Sequence, residues 1–200
     1  MSLARTLPTV FALAACALAA AAAGCTLGPA TRSASGPAPA GRTAPPAAGF
    51  RTYHNPARGF SITFPADWER KENFRGMVVV AISPQAGPDD TFRENAAVVV
   101  EDLPAGTALD VYEKACREKL AASFKDHGYR EHESSRTSLA GCDAVRLVYS
   151  HRKDDFAMKL ITWLVVKGGR GYVICCGSTP AEFDGHLPVF EQIGGSFIAY

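Results

Sequence analysis

Short apolar runs separated by turn residues dominate the first half of the folded region. In the segment 59–65 (GFSITFP), apolar and polar residues alternate, so that one face of an extended chain is apolar. The segments 77–83 (MVVVAIS) and 95–103 (NAAVVVEDL) are rich in β-branched residues and are bounded by proline, glycine and aspartate. The pattern therefore predicts three β-strands before the first helix.

The hydrophobic period changes in the next segment. Apolar residues recur there at spacings of three and four, as on one face of a helix: Leu109, Tyr112, Cys116, Leu120 and Phe124. Thr107 and Asp110 form a pair like a capping box at its start, and Gly128 is placed to end it. The pattern predicts an amphipathic helix whose Cys116 faces the sheet.

Extended stretches return after this helix. The segment 129–139 is polar, as in an exposed or edge strand, whereas 144–150, 156–166 and 171–178 are largely apolar. The joints HRKDD and KGGRG between the apolar segments are typical of hairpin loops. Within the segment 156–166 the run LITWLVV is apolar at both parities, which favours a central strand covered on both faces.

A second helix is predicted near the C-terminus. The sequence TPAE at 179–182 offers a threonine cap, a proline at the first helical position and a glutamate after it. The apolar side of this helix is formed by Phe183, Leu187, Phe190 and Ile193. Gly185 and Pro188 are expected to break the helix into two pieces.

The order of the predicted elements indicates the fold class. Strands come first, then a helix, a meander of strands and a second helix. Strands joined by hairpins favour an antiparallel sheet over a parallel βαβ winding. The sequence therefore predicts one α+β domain over residues 50–200.

The N-terminus has the layout of a bacterial lipoprotein signal peptide over residues 1–24. Arg5 is the only charged residue before Arg32, and the intervening run is mostly apolar and rich in alanine. Two cysteines follow small residues, as in a lipobox. Cys25 (AAGC) has the fuller apolar run before it, whereas Cys16 (LAAC) has the more typical leucine but a short run. The expected lipidation site is Cys25, with Cys16 as the alternative.

Two other processing routes are compatible with the same residues. The apolar run approaches the length of about 20 residues that spans a bilayer, so that an uncleaved anchor is one alternative. Plain cleavage after an Ala-x-Ala site, which releases the protein, is the other. Either a lipid or an anchor places the rest of the chain on the membrane and outside the cytoplasm. In a host with two membranes, Thr26 in place of aspartate after Cys25 favours the outer membrane.

Residues 25–49 have the composition of a tether. Of the 24 residues from 26 to 49, 16 are proline, glycine or alanine. Such a segment buries too little apolar surface to offset the entropy of ordering it, so that a disordered linker is expected. The sequence therefore predicts a domain held near a membrane by its N-terminus.

Charge argues against a nucleic-acid partner. The chain has 21 basic and 20 acidic residues, and removal of the signal peptide takes away one of the basic ones. A balanced net charge exerts little long-range attraction on a polyanion. No basic stripe interleaved with aromatic residues is present in the sequence.

Recognisable catalytic and metal-binding motifs are missing from the sequence. It has no zinc-protease, phosphate-loop or nucleophile-elbow motif. The triplet 131–133 (EHE) lies in the polar strand, where alternate side chains point to opposite faces. The carboxylate pairs 89–90 and 154–155 fall in turns, where little burial would raise their pKa. We therefore expect no catalytic residue, no metal site and no cofactor.

Four cysteines in the domain are its most unusual chemistry: Cys116, Cys142, Cys175 and Cys176. An exported protein meets conditions that permit disulfides. Cys175 and Cys176 should point to opposite faces of a regular strand, so that one of them faces the helix that carries Cys116. A bridge from Cys116 to Cys175 or Cys176 is one prediction, and buried thiols are the alternative.

Three stretches together carry a family resemblance: GFSITFPADWE, LAGCDAVRLVYS and FEQIGGSFIAY. With the helix after a short loop and the strand hairpin, they resemble the PsbP-like superfamily. That group includes extrinsic photosystem proteins, Ran-binding Mog-type proteins and bacterial DcrB-like lipoproteins. The resemblance implies an antiparallel sheet sandwiched by helices over residues 50–200, and it implies no particular activity.

Together, these features predict a function class. The sequence predicts a membrane-tethered envelope lipoprotein that acts as a non-catalytic module and binds an envelope protein or a small ligand. One alternative is an envelope enzyme with an unrecognised active site. The other is an assembly factor of a membrane complex, by analogy with the photosystem proteins.

Overall fold

The computed structural model describes residues 49–88, 90–153 and 156–200. The predicted signal peptide, both candidate lipidation sites, Cys16 and Cys25, and the tether lie outside the described residues. So do Asp89 and the carboxylate pair at 154–155.

The described residues form ten strands and two helices. In chain order these are β1 (Phe50–Asn55), β2 (Phe60–Pro65), β3 (Glu69–Phe74), β4 (Met77–Ile82), β5 (Asn95–Asp102), α1 (Leu109–Ser123), β6 (Arg130–Leu139), β7 (Cys142–Lys153), β8 (Phe156–Lys167), β9 (Arg170–Ser178), α2 (Phe183–Gly195) and β10 (Ile198–Ala199).

The strands form two sheets in which neighbours run antiparallel. The large sheet has seven strands in the order β3-β4-β5-β9-β8-β7-β6, and the small sheet has the order β1-β2-β10. β8 lies between β7 and β9, and six consecutive residues, 160–165, are buried. The prediction of a central strand covered on both faces is confirmed.

Each face of the large sheet is covered by a different layer. α1 packs one side with the stripe that its periodicity predicts, and Tyr112, Cys116 and Leu120 are buried. α2 and the small sheet pack the other side, where Phe60, Phe190 and neighbouring residues form a second core. The α+β sandwich expected from the sequence is therefore the observed fold.

Three local expectations about the helices are wrong, the first being the threonine cap of α2, because α2 begins at Phe183 and its N-cap residue is Glu182 rather than Thr179. Thr107 does not cap α1: the N-cap residue is Ala108, and the Thr107 hydroxyl donates to the Pro104 carbonyl at 2.7 Å. α2 is continuous although Pro188 lies inside it. Proline removes one helical hydrogen bond, whereas Phe183 and Phe190, buried on either side of it, hold both parts of α2 on the sheet.

Two glycines allow the helices to approach the sheet closely. A Cβ at Gly171 in β9 would lie 2.4 Å from the ring of Tyr112 in α1. A Cβ at Gly194 in α2 would lie 2.6 Å from the indole of Trp163 in β8. Both distances are far shorter than ordinary van der Waals contact, so that the two large rings occupy space that only glycine leaves open.

Candidate functional site

A row of polar side chains crosses the large sheet on the side that α2 covers. Ser150, Lys159 and Ser178 are register partners on β7, β8 and β9. Glu94 comes directly before β5 and Ser83 directly after β4, and the Ser83 amide donates to the Glu94 carbonyl at 2.8 Å. We call these five residues, from β4 to β7, the transverse polar row.

The most buried charged group of the row is a carboxylate. Glu94, whose side chain is 9% exposed, accepts a hydrogen bond from the Ser83 hydroxyl at 3.0 Å. Its other oxygen lies 3.5 Å from Nε2 of His186 in α2. Burial raises the pKa of Glu94, and the negative charge of Glu182 adds to this, whereas His186 and the Ser83 hydroxyl act in the opposite direction.

The remaining members of the row contact the start of α2 and the outer strand. The Lys159 ammonium lies 3.2 Å from a carboxylate oxygen of Asp184 and 4.4 Å from the ring centre of Phe183. The Ser150 hydroxyl lies 2.8 Å from Nε2 of His132, at the irregularity of β6. The row therefore holds the first turn of α2 to the end of the sheet.

The geometry of the row does not prepare a nucleophile. Activation of a serine needs a base that accepts its proton and a third group that orients the base. The Ser83 hydroxyl donates to Glu94 rather than to an imidazole, and Ser83 is itself buried. The arrangement instead suits a structural polar cluster whose groups satisfy one another.

A second charged region lies where α1 runs beside the edge strand β6. Arg117 binds Glu131 with two contacts, of 2.6 and 3.1 Å, and binds Glu113 at 3.2 Å. Glu113 also pairs with Arg136 of β6 at 2.8 Å. Such paired charges keep their positions better than isolated surface charges, because each side chain has several partners. We call this region, with Asp110, the α1–β6 surface.

Two shallow cavities flank this network. One, of about 430 Å³, is lined by Leu109, Asp110, Arg136, Thr137, Asp143 and Ala144. The other, of about 340 Å³, is lined by Asp110, Glu113, Lys114, Arg117 and Glu118. Sites for small ligands are mostly apolar with a few polar groups, so that this charged lining favours contact with a polypeptide.

β6 itself is the most exposed strand of the large sheet. Eight of its ten residues are exposed, and only Leu139 is buried. Its charges reach both sides of the sheet: Glu131 binds Arg117 on the α1 side, and Glu133 binds Arg146 on the α2 side at 2.7 Å. Charged side chains at a sheet edge are a known protection against unwanted strand pairing.

The structure separates the three neighbouring residues of the triplet 131–133. Glu131 and Glu133 bind different arginines, and His132 lies beside Ser150. In the part of the chain that is described, no group of three histidine, cysteine or carboxylate residues is placed to hold a metal ion.

The cysteines divide between the two cores. Cys116 and Cys175 belong to the core under α1, whereas Cys176 belongs to the core under α2. Burial raises the pKa of Cys116 to about 12. No disulfide joins Cys116, Cys142, Cys175 or Cys176 within the described residues. The bridge stays a prediction, and the sheet between the two cores leaves Cys175 as the reachable partner of Cys116.

The transverse polar row was not predicted from the sequence. Two of its members carried a signal: Glu94 immediately precedes an apolar strand, and Lys159 is a charged residue inside the apolar run FAMKLITWLVV. A charged residue in such a position needs a partner, because unpaired burial of a charge is costly. The partner of Lys159 comes from the start of α2, which the pattern alone does not place over β8.

Comparison with known proteins identifies the fold. No family model matches the chain, and no curated protein matches it. Among solved structures, cyanobacterial PsbP (CyanoP) from Synechocystis is similar with a TM-score of 0.61 and 14% identity, covering 76% of this chain and 92% of that one.

Two further structures extend the likeness. LpqN of Mycobacterium tuberculosis, described as involved in cell envelope biogenesis, has a TM-score of 0.50 and 16% identity over 69% of this chain and 81% of its own. The Ran-binding protein Mog1p of Saccharomyces cerevisiae has a TM-score of 0.55 and 9% identity, over 76% of this chain and 95% of its own. At such identities the likeness shows the fold, which is the PsbP-like fold. Among the described residues, neither helix has the length and apolar character to cross a membrane.

Proposed function

We propose that this PsbP-like domain is an accessory module of the bacterial cell envelope, which binds a protein partner and catalyses no reaction. The fold supports this proposal, because similar structures include a Ran-binding protein and a protein involved in cell envelope biogenesis. The N-terminal sequence supports the location, since it has the layout of a lipoprotein signal followed by a linker.

The proposed attachment is a lipid on Cys25, which holds the domain on a membrane and outside the cytoplasm. In a host with two membranes this is the periplasmic side of the outer membrane. Mass spectrometry of the mature N-terminal peptide tests the attachment. A lipid on Cys25 is the expected result, whereas a lipid on Cys16 or an unmodified N-terminus contradicts it.

The α1–β6 surface is the proposed binding site for the partner. The single observation that carries this choice is the network in which Glu113 and Arg117 join α1 to Glu131 and Arg136 of β6, beside a cavity of about 430 Å³. Fixed, alternating charges favour a partner with a complementary charge pattern and disfavour others. The partner is therefore expected to be a folded protein rather than a small apolar molecule.

Site-specific photo-crosslinking tests this surface in the native envelope. A photoreactive residue at Ser138, which is exposed on the α1 side of β6 and pairs with the cavity-lining Asp143, is expected to capture a defined protein. The same residue at Thr52, exposed on β1 of the small sheet, is the matched control. Equal capture at both positions, or none at Ser138, contradicts the proposed surface.

A charge swap separates binding from folding. In the quadruple variant Glu113→Arg/Arg117→Glu/Glu131→Arg/Arg136→Glu every ion pair of this network is retained with its direction reversed. The protein is expected to fold as well as the wild type and to lose the Ser138 crosslink. Retention of the crosslink would show that the charge pattern does not select the partner.

The absence of catalysis is tested on the full mature chain. Broad hydrolase and thiol-oxidoreductase screens are expected to show no turnover. Turnover that disappears in Ser83→Ala or His186→Asn would overturn the proposal, because these residues belong to the most convergent polar groups of the described structure.

A further inference from the structure

Basic residues are concentrated at the end of the protein where the predicted tether joins the domain. Seven basic and three acidic residues lie between positions 25 and 76, whereas thirteen basic and seventeen acidic residues lie between 77 and 200. The chain that follows Cys25 is therefore close to neutral as a whole but strongly asymmetric. Such an asymmetry orients a protein in an external field.

The fold gathers the described residues of this segment, 49–76, with five basic and three acidic side chains, at one edge of the molecule. β1 is the outer strand of the small sheet and β3 is the outer strand of the large sheet. The two strands touch: the Tyr53 hydroxyl donates to Glu72 at 3.0 Å, and the Arg70 guanidinium lies 5.2 Å from the Tyr53 ring centre. We call the surface of residues 49–76 formed by β1, β3 and their turns the tether-side edge.

The tether joins the domain at this same edge. The Gly49 carbonyl accepts a hydrogen bond from the amide of Ala66, at 2.9 Å, in the turn that leads to β3. Trp68, half-buried, lies in the same turn. The start of the domain, an aromatic side chain and both edge strands are therefore neighbours.

Two of the three acidic residues of the tether-side edge, Glu69 and Glu72, are already engaged, and the third is the exposed Asp67. Glu69 pairs with Lys71 at 3.2 Å, and Glu72 accepts the Tyr53 hydrogen bond. By contrast, no carboxylate of the described residues lies within ion-pair distance of the exposed Arg51, Arg58 or Arg75. Three arginines without an ion pair thus stand against one such carboxylate, so that the edge keeps a net positive charge for an external anion.

We propose that the tether-side edge lies against an anionic lipid surface, the membrane that holds the N-terminus. This inference rests on the proposed envelope attachment. A basic residue near an anionic membrane gains modest binding energy, so that a few arginines alone give weak contact. A tether makes the contact intramolecular, and a weak surface then suffices.

The proposed orientation leaves the partner site free. β3 and β6 are the two outer strands of a seven-stranded sheet. Six spacings of about 4.8 Å place β6 roughly 29 Å from β3. A domain with its tether-side edge on the membrane therefore presents the α1–β6 surface away from the lipid, where a protein partner can reach it.

Tryptophan fluorescence provides a direct test. The chain has two tryptophans, and Trp163 is buried in the core with 2% exposure, whereas Trp68 lies at the tether-side edge. The lipidated full chain is reconstituted into vesicles of brominated phosphatidylcholine, with or without phosphatidylglycerol. Quenching of Trp68 is expected with phosphatidylglycerol at low salt, and it is expected to fall at high salt or without the anionic lipid. Trp68→Phe identifies the signal.

Two double variants provide the matched comparison. Arg51→Ala/Arg75→Ala removes two cations from the tether-side edge and should weaken the contact about 25-fold, at about fivefold for each charge. Lys114→Ala/Lys125→Ala removes two exposed cations from the part of the molecule around α1 and should leave the quenching unchanged. Equal loss in both variants, or quenching that ignores phosphatidylglycerol, overturns the proposal.

The same samples distinguish this inference from the proposed attachment. Mass spectrometry of the N-terminal peptide reports the lipid independently of the fluorescence. A lipidated chain without Trp68 quenching overturns the membrane-facing edge and leaves the attachment standing. A chain found without a lipid overturns the attachment, and the edge is then tested with the chain coupled to the vesicle lipid through its N-terminus: salt-sensitive quenching upholds the edge, and its absence overturns it.

Discussion

Two adjacent glycines at the end of α2 are expected to respond to alanine in opposite ways. Gly194 faces the sheet and is buried, whereas Gly195 is exposed and has no heavy atom within 4 Å of the position that a Cβ would take. Both lie in the same helix, so that the intrinsic effect of alanine is similar at the two positions. Their difference therefore measures the contact between α2 and the sheet.

The magnitude follows from the distance to Trp163. A Cβ at Gly194 would lie 2.6 Å from the indole, which is far below contact distance, and Trp163 is 2% exposed and has no free space to move into. Overpacking of this kind costs about 1–3 kcal/mol. Better helix propensity returns at most about 1 kcal/mol. Gly194→Ala should therefore destabilise the protein by about 1–2 kcal/mol.

At Gly195 only the propensity effect operates. Gly195→Ala should stabilise the protein by up to about 1 kcal/mol, and less where the helix frays at its end. The two variants should therefore differ by about 1–3 kcal/mol in the free energy of unfolding, from the same chemical change at neighbouring residues.

Urea unfolding followed by circular dichroism measures this difference. The midpoint should move to lower urea for Gly194→Ala and to equal or higher urea for Gly195→Ala, with the slope m unchanged in both. Circular dichroism is preferred to fluorescence because Gly194→Ala acts directly on Trp163, so that the tryptophan signal would differ between the folded variants. Equal stability of the two variants would refute the close packing of α2 on β8.

Three further changes probe buried polar groups. Thr162→Val should raise the free energy of unfolding by about 1 kcal/mol, because the buried Thr162 hydroxyl has no hydrogen-bond partner. The control Thr137→Val, at an exposed position of β6, should change the free energy of unfolding by less than about 0.5 kcal/mol. Equal effects of the two substitutions would contradict the unpaired hydroxyl. His151 is buried against Phe124 and its pKa is lowered, mainly by burial, so that the unfolded chain binds a proton first as the pH falls. The wild type should therefore lose stability relative to His151→Asn when the pH is lowered below about 6.5, as melting temperatures measured at several pH values will show. Melting temperatures that change in parallel for the two proteins would be evidence against the buried, neutral His151. Burial raises the pKa of Glu94, so that the protonated carboxyl stabilises the fold fully below pH 4.5 and this stabilisation is lost as the pH rises. Glu94→Gln should therefore become more stable relative to the wild type as the pH rises. A difference in urea midpoint that stays constant with pH would contradict the burial of this charge.

Local periodicity was sufficient to predict the interior of this fold. The strands β4, β5 and β8 and the buried stripe of α1 each follow from short apolar runs or from a repeat of three to four residues. Side chains that alternate along a strand also place Cys175 and Cys176 in different cores, as predicted. These features depend on neighbours a few residues apart, which the sequence contains directly.

Weakly patterned elements were missed for a related reason. β1 (FRTYHN) and β3 (ERKENF) are outer strands, and few of their residues are buried. An outer strand is held by its backbone partner and by one or two inward side chains, so that little hydrophobic period remains to detect. The continuity of α2 through Pro188 was also decided by packing of the helix on the sheet.

The residue pattern alone thus accounts for the inner strands, the main helix, the α+β class and the layout of the N-terminus. Which polar residues contact one another depends instead on how the layers pack. Glu94 precedes β5 and His186 lies in α2, far apart in the chain, and they come within 3.5 Å because α2 crosses the end of the sheet. The tether-side edge likewise exists because β1 and β3 are the outer strands of two different sheets. Strand order and layer packing arise from the cooperative burial of the whole chain, and no local window of residues contains them.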